Sequence, residues 1–415
     1  MNFSEKNNSI TLTHPTVKDN VSLPPSKSQL HRMIICGLQR ELKISGCGGE
    51  LCDDVKRTLK AVKNLGAETA ADGDTIKIYP QKKIKANAVI DCGESASTLR
   101  MLLPAAACFS PGTEFLLSTS LAKRPRKFLL DSVISNGAAI ENRECLIKVL
   151  NVCDERMNFF CNPSFSSQAV SGFCLLPTEE KIQIKLTDKP VSLPYIKLTL
   201  DILSSIGKEC HFDGDEISVK SKNTGGSVSL SANPDSSAAI YPLLCGILGD
   251  KPVFVNVGAE RDGIDFSAIE LLKTAGAKIE LNAAGIMAYP SKLSAFNISV
   301  ADMPDALPCL AIAAASANGT SIIYDTDRLR GKESDRVSAV CDLINSLGGK
   351  AEAGSNIIKI YGKDTLYGGN VNTHSDHRIA MAAACAAVCC EGSVTIDNPG
   401  CINKSFPGFF EAVFI

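Results

Sequence analysis

The 415-residue chain lacks an excess of charge of either sign: 43 basic residues stand against 45 acidic ones, a formal net charge of -2. A nucleic-acid binder usually carries a basic surplus, so no nucleic-acid partner is expected and any basic patch must be local. Long apolar runs are missing too. The longest, Ile379 to Cys390, is too short to span a bilayer and is bounded by Arg378 and Glu391. The opening residues Met1 to Lys6 contain no apolar signal core. Together these absences predict a soluble, cytoplasmic protein with no membrane partner. The 17 cysteines are odd in number, lie mostly in apolar segments and are never spaced C-x-x-C. Buried free thiols in a reducing compartment are the reading. No Ser/His/Asp or Cys/His nucleophile set stands out.

What the chain does have is length, apolar content and a beat. At 45% hydrophobic residues it can fill cores, and its length predicts two domains. Polar clusters that open small-residue apolar runs recur at Ser28, Ser97, Ser167, Ser237, Leu307 and His377, with intervals of 69, 70, 70, 70 and 70. A second landmark keeps the same period. Gly66, Gly137, Gly207, Gly276 and Gly348 each close an amphipathic stretch, at intervals of 71, 70, 69 and 72. Glycine is the usual residue just past a helix end. Short alternating runs such as Thr75-Ile76-Lys77-Ile78 and Ile357-Ile358-Lys359-Ile360 follow as strands. Each repeat is therefore helix, strand, helix, then strands, and the chain holds six.

The sixth repeat stops at Ile415, before its closing glycine and hairpin, while Ser9-Ile10-Thr11-Leu12-Thr13 is a spare strand ahead of the first. That strand is expected to complete the last sheet. Residues 20–232 would then form one domain with repeats one to three. Residues 1–19 and 233–415 would form the other, with crossings near Asn20 and Ala232.

Charged residues gather at the helix openings: Lys27, Ser28 and Arg32; Arg100; Lys123-Arg124-Pro125-Arg126; Ser166-Ser167-Gln168; Ser192; Asp305; Arg330 to Arg336; Asp376-His377-Arg378; Lys404. A helix N-terminus offers unpaired N–H groups and partial positive charge, a seat for an anion. Six repeats would aim these residues at one end of each domain. Clustered Arg and Lys repel one another unless anions lie between them, and Arg suits carboxylates and phosphates. The expected ligands are small and highly anionic. Gly331-Lys332-Glu333-Ser334 is no P-loop, since the first glycine of that motif would fall at Thr326. His374 and His377 could reach one metal, but no Cys or carboxylate cluster completes a site, and a capping or substrate role fits better.

At these residues the sequence resembles the EPSP synthase (3-phosphoshikimate 1-carboxyvinyltransferase) family of enolpyruvyl transferases, nearly end to end. Ser26-Lys27-Ser28 with Arg32 resembles one signature and Gly93-Glu94-Ser95-Ala96-Ser97-Thr98-Leu99-Arg100 the phosphoenolpyruvate loop. Arg124-Pro125, Ser166-Ser167-Gln168, Pro304-Asp305-Ala306, Lys332 to Arg336, Asp376-His377-Arg378 and Lys404-Ser405-Phe406-Pro407 follow in the family's order. The resemblance implies an α/β fold, a two-domain inside-out α/β barrel (EPT/RTPC-like) with three βαβαββ-type units per domain. It implies transfer of the enolpyruvyl group from phosphoenolpyruvate to the 5-hydroxyl of shikimate 3-phosphate, on the way to chorismate and the aromatic amino acids. It implies a monomer with no metal and no cofactor.

By the same resemblance, Lys27, Ser28, Arg32, Ser166, Ser167, Gln168, Ser192, Asp305 and Lys332 hold shikimate 3-phosphate. Lys27, Ala96, Arg124, Gln168, Arg336, Arg378 and Lys404 hold phosphoenolpyruvate. Asp305 takes the 5-hydroxyl proton, and Glu333 exchanges a proton at C3 with Lys27 assisting. Helix capping is the plainer role for both carboxylates. Pro25, His31, Leu193, Arg328 and Glu94 depart from the commonest family pattern. Ala96 stands where many members have Gly, and its methyl predicts reduced sensitivity to glyphosate. A sister family acting on UDP-N-acetylglucosamine carries a Lys-Asn pair and a loop Cys; here the pair is Lys27-Ser28, and Ser118 to Ala122 contains no Cys. A non-catalytic scaffold binding anionic metabolites is the remaining alternative, and retention of both Asp305 and Glu333 argues against it.

Overall fold

Six capping residues set the rhythm of the chain: Ser26, Ser95, Ser166, Asp235, Ala306 and Asp376. All but Ala306 accept a backbone N–H from the first turn onto the side-chain oxygen, the bond that starts a helix cheaply. The head helices that follow are Lys27–Cys36, Ala96–Phe109, Ser167–Cys174, Ser236–Leu248, Leu307–Ala315 and His377–Ala386. The five landmark glycines sit two residues past the second helices, and all have positive φ, where a side chain would be strained. The computed structural model describes residues 8–153, 157–222, 225–257, 266–363 and 365–415. Met1 to Lys6, read above for a signal core, lie outside the described residues.

Repeat two shows the sheet plan. Val89–Gly93 pairs in parallel with Glu114–Leu117 across the head helix, a βαβ connection. Glu114–Leu117 then pairs antiparallel with Leu146–Asn151, which forms a hairpin with Ala139–Arg143. Repeats three and five follow the same order. Strands such as Leu146–Asn151 and Ile357–Tyr361 alternate in burial, so each sheet has one face on the core.

Repeats one and four exchange their leading strands. Val228–Ser231 pairs in parallel with Leu42–Ser45 of repeat one, and Asn20–Ser22 with Val253–Asn256 of repeat four. This moves one expected boundary. The chain divides into two compact domains, 25–232 and 1–24 with 233–415, so the first crossing lies after Pro24 rather than at Asn20. The reason is that Asn20–Ser22 is held as an edge strand of repeat four. Ser9–Leu12 pairs antiparallel with Val394–Asp397 and fills the place that a hairpin strand takes elsewhere.

The helices occupy the cores. In the second domain all nine residues of Leu307–Ala315 and all ten of His377–Ala386 are buried. A helix apolar on every side belongs inside, and the small alanines let its neighbours approach closely. These two and Ser236–Leu248 pack on one another. In the first domain Ala96–Phe109 packs against both other head helices. Burial of a residue such as Ile44 or Ile78 contributes about 1.5–3 kcal/mol. All 17 cysteines are free thiols and none is exposed. Among the described residues no helix is long and apolar enough to cross a membrane.

Candidate functional site

In the second domain the charged residues converge on Arg336, the first residue of the helix Arg336–Ser346, whose side chain is fully buried. Its Nε and Nη2 donate to the two oxygens of Asp376 at 3.0 and 3.3 Å. Nη1 donates to Asp305 Oδ1 at 2.9 Å and Nη2 to Glu333 Oε2 at 2.7 Å. Three more cations rim the cluster. Lys332 Nζ is 3.5 Å and Arg378 Nη2 3.6 Å from Asp305, and Lys404 Nζ is 3.7 Å from Glu333. Arg378 also donates to the carbonyl and hydroxyl of Ser237 at 2.9 and 2.8 Å. Ser334 Oγ donates to Asp376 at 3.1 Å.

Part of the anionic charge expected between these cations is the protein's own. Three protein carboxylates already lie among four cations, which keeps them together and leaves a net positive charge. Burial pushes the Asp305 carboxyl up, but Lys332, Arg378 and Arg336 outweigh it and hold it well below the usual carboxylate range. Burial works against the charge of Arg336, yet Asp376, Glu333 and Asp305 raise it well above its ordinary value. Lys332 is lowered, chiefly by burial.

Neither of the two carboxylates is the cap of a helix. Asp305 precedes the cap of its helix, and its oxygens face three cations. Glu333 faces Arg336 and Lys404, and Asp335 caps the following helix. His374 and His377 part company. His374 Nε2 lies 3.2 Å from Asp342, whereas His377 is buried with Nδ1 3.9 Å from Asp376. Among the described residues no group of three His, Cys, Asp or Glu side chains is set to hold a metal ion.

In the first domain the cations meet mostly neutral partners. Buried Arg32 donates from Nε to Thr199 Oγ1 at 2.7 Å and from Nη1 to the Ser28 carbonyl at 2.7 Å. Its Nη2 donates to Ser171 Oγ and the Tyr195 carbonyl at 3.3 and 3.1 Å, and its guanidinium lies 5.8 Å from the Tyr195 ring. Burial pulls it down to about 10, still a cation at neutral pH. Such a charge gains from an anion brought beside it. Arg100 donates to Gln168 Oε1 at 3.0 Å, and Gln168 Nε2 donates to Ser97 Oγ at 2.9 Å. Lys27 opens the head helix of repeat one and pairs with buried Asp54 at 3.1 Å.

Ala96 and Ser167 are the first residues of their head helices, and Ser166 caps the latter. Ser192 caps Leu193–Ser205 in the left-handed region, at φ 54°, a strained conformation for a residue with a side chain. The stretch Lys123-Arg124-Pro125-Arg126 opens the second helix of repeat two, with Arg126 at the cap of Lys127–Ser135; within it Arg124 ends a short helix, Thr119–Lys123, that Pro125 cannot continue. Arg124 and Lys404 are buried.

Residues that the resemblance assigned to neither substrate contact those that it did assign: Asp376 and Ser237 in the second domain, Asp54, Arg100, Ser171 and Thr199 in the first. Asp376 carried a signal, since an Asp at a helix start beside His377-Arg378 is a ready partner for a buried guanidinium. Thr199 and Ser171 carried none.

Known proteins resemble this chain in family and in fold. The EPSP synthase (3-phosphoshikimate 1-carboxyvinyltransferase) family profile matches residues 13–413. A Clostridium perfringens protein named 3-phosphoshikimate 1-carboxyvinyltransferase is 31% identical over 412 residues, covering 97% of this chain and 96% of its own. One of the same name from Methanocorpusculum labreanum is 31% identical over 396 residues, 94% of each chain. Among solved structures, an Acinetobacter baumannii EPSP synthase has a TM-score of 0.76 at 22% identity, covering 97% of this chain and 96% of that one. The enolpyruvyl transferase NikO from Streptomyces tendae has a TM-score of 0.74 at 15% identity, covering 98% and 97%. At these identities the solved structures speak for the fold, the inside-out α/β architecture.

Proposed function

The chain belongs to the EPSP synthase family, and from that premise we propose how its residues divide the work of carboxyvinyl transfer. The reaction moves the enolpyruvyl group of phosphoenolpyruvate to the 5-hydroxyl of shikimate 3-phosphate and releases phosphate. The hydroxyl oxygen bonds to C2 of the enol, its proton leaves, and C3 gains a proton. The tetrahedral adduct then breaks its C2–O bond to phosphate and C3 returns a proton.

In this reading Lys27, Ser28, Arg32, Ser166, Ser167, Gln168, Ser192, Asp305 and Lys332 hold shikimate 3-phosphate. Lys27, Ala96, Arg124, Gln168, Arg336, Arg378 and Lys404 hold phosphoenolpyruvate. Asp305 accepts the hydroxyl proton and Glu333, with Lys27, handles the proton at C3. The observation that carries the reading is the contact of Asp305 and Glu333 with Arg336. Asp305 is ionised before substrate arrives, held so by Lys332, Arg378 and Arg336 against the effect of burial. Anionic substrate draws on the same cations. As their attention shifts, the carboxylate loses its stabilisation and becomes a stronger base. The enzyme works as a cytoplasmic monomer on small molecules.

Phosphate release tests the reading. It should require both phosphoenolpyruvate and shikimate 3-phosphate, and UDP-N-acetylglucosamine should not replace the latter. Release with the nucleotide sugar, or with neither acceptor, overturns it. Near-normal turnover in Asp305→Ala would remove Asp305 from proton transfer.

A further inference from the structure

We propose that His31 is a positioning residue for the head of the helix Ala96–Phe109, acting through a buried chain of three hydroxyls on Thr58, Thr98 and Ser95. The inference rests on the reading of that helix head as part of the phosphoenolpyruvate site. His31 Nδ1 lies 2.7 Å from Thr58 Oγ1, and Thr58 Oγ1 lies 2.7 Å from Thr98 Oγ1. Thr98 Oγ1 donates to Ser95 Oγ at 2.7 Å. None of the four residues is more than 1% exposed.

The direction of this chain follows from proton counting. A hydroxyl has one proton. Thr98 gives its proton to Ser95, so the Thr58–Thr98 bond must use the proton of Thr58. Thr58 then has none for the ring, and His31 must donate from Nδ1. The other acceptor within reach of Thr58, the Asp54 carbonyl at 3.5 Å, is poorer and would leave the short Thr58–Thr98 contact without a proton. Burial keeps the ring neutral, with its pKa lowered to about 3. The ring is therefore the Nδ1–H tautomer, and Nε2 is buried without a hydrogen-bond partner.

The chain ends where the substrate loop begins. Ser95 Oγ accepts both the Thr98 hydroxyl and the Thr98 N–H, at 2.7 and 3.2 Å, which fixes the first turn of the helix. That turn carries Ala96 and Ser97, and Ser97 receives the Gln168 amide. The other end is tied to Lys27. Lys27 and His31 are one turn apart on their helix, as Asp54 and Thr58 are on theirs. The Lys27–Asp54 pair and the His31–Thr58 bond form two steps between the same helices. His31 thereby sets Lys27 and the 95–98 turn in one register.

Asparagine and leucine at position 31 separate positioning from mere filling. The Asn amide nitrogen falls near the place of Nδ1 and can donate, and Leu cannot. His31→Leu should raise KM for phosphoenolpyruvate about tenfold, the size of one lost buried hydrogen bond, and KM for shikimate 3-phosphate clearly less, since of its residues only Lys27 and Gln168 adjoin the chain. His31→Asn should restore the first constant to within about twofold of the original, since the donor is kept. Thr58→Val should match His31→Leu, and the double variant should be no worse than either, as for members of one chain. Nitrogen NMR of the five histidines should find one ring at neutral pH with its proton on Nδ1. Equal damage from Asn and Leu, equal rises in both KM values, or no Nδ1–H ring would overturn the proposal. If the unmodified enzyme transfers no carboxyvinyl group, the reading of the reaction fails instead. The tautomer, read without substrate, still decides the direction of the chain.

Discussion

The two domains treat their buried arginines in opposite ways. In the second, Arg336 is met by three carboxylates, and Arg378 and the lysines share them. In the first, Arg32 is met by two hydroxyls and two carbonyls. The difference teaches what each arrangement can exchange. A guanidinium among carboxylates is stable while empty, and an arriving anion changes the basicity of the groups it displaces. A guanidinium among neutral groups keeps its charge available, and an arriving anion simply adds to it. The first arrangement suits proton transfer and the second suits recognition.

Four experiments break or sharpen this contrast, beginning with the largest effect. Asp305→Asn keeps the shape of the cluster and removes a base, so turnover should fall about 10²–10⁴-fold in a steady-state assay, with the fold intact. Asp376→Ala leaves Arg336 buried with its two-point partner gone. Breaking a buried pair of this kind costs about 3–5 kcal/mol, to be read from denaturant unfolding of the second domain. A loss below about 1 kcal/mol would mean that Asp305 and Glu333 suffice to hold the guanidinium.

Acid separates the domains by window. His31 is held neutral chiefly by burial, with Lys27 and Arg32 acting the same way and Asp54 opposing, so its pKa is about 3 against an ordinary 6.5. Between those values the unfolded chain binds a proton that the native one refuses. Stability of the first domain should fall as pH drops below 6.5, by up to about 1.4 kcal/mol per unit. Asp305 has the opposite chemistry and a later window. Its carboxyl is lower when folded, so its contribution is complete above the ordinary carboxylate range near pH 4 and is lost only as pH falls beneath it. Unfolding followed from pH 7 to 3 should find the first domain weakening earlier, and His31→Asn should remove that early loss. The smallest effect is expected from Thr199→Val, which takes one neutral acceptor from Arg32 and should cost about 1 kcal/mol by thermal unfolding.

How much of this was legible in the sequence follows from what each feature demands of the chain. The repeat was legible because its landmarks are local. A helix start asks for a capping side chain, as at Ser26 or Asp235, and a helix end asks for a residue at positive φ, as at Gly66 or Gly207. Which carboxylate meets which cation was not legible. Arg378 reaches Ser237 across 141 positions, and Arg336 reaches Asp376 across 40. Only the packing of repeats decides such pairs. The exchanged strands Asn20–Ser22 and Val228–Ser231 escaped notice for another reason. Three or four residues are too few to show a period.

The strand pairing of the two ends has a consequence in time. Residues 25–232 hold every strand that the first domain needs, Val228–Ser231 included, so that domain can close as soon as its last strand leaves the ribosome. The second domain waits. Ser9–Leu12 is made about 380 residues before its partner Val394–Asp397. At ribosomal speeds of about 5–20 residues per second, that strand spends about 20–80 s without its partner. Its burial alternates, with Ile10 and Leu12 destined for the core. During that interval two buried-type side chains and an open strand edge stand exposed on a nascent chain. A holding chaperone is most useful to this protein at Ser9–Leu12, long before the second domain can close.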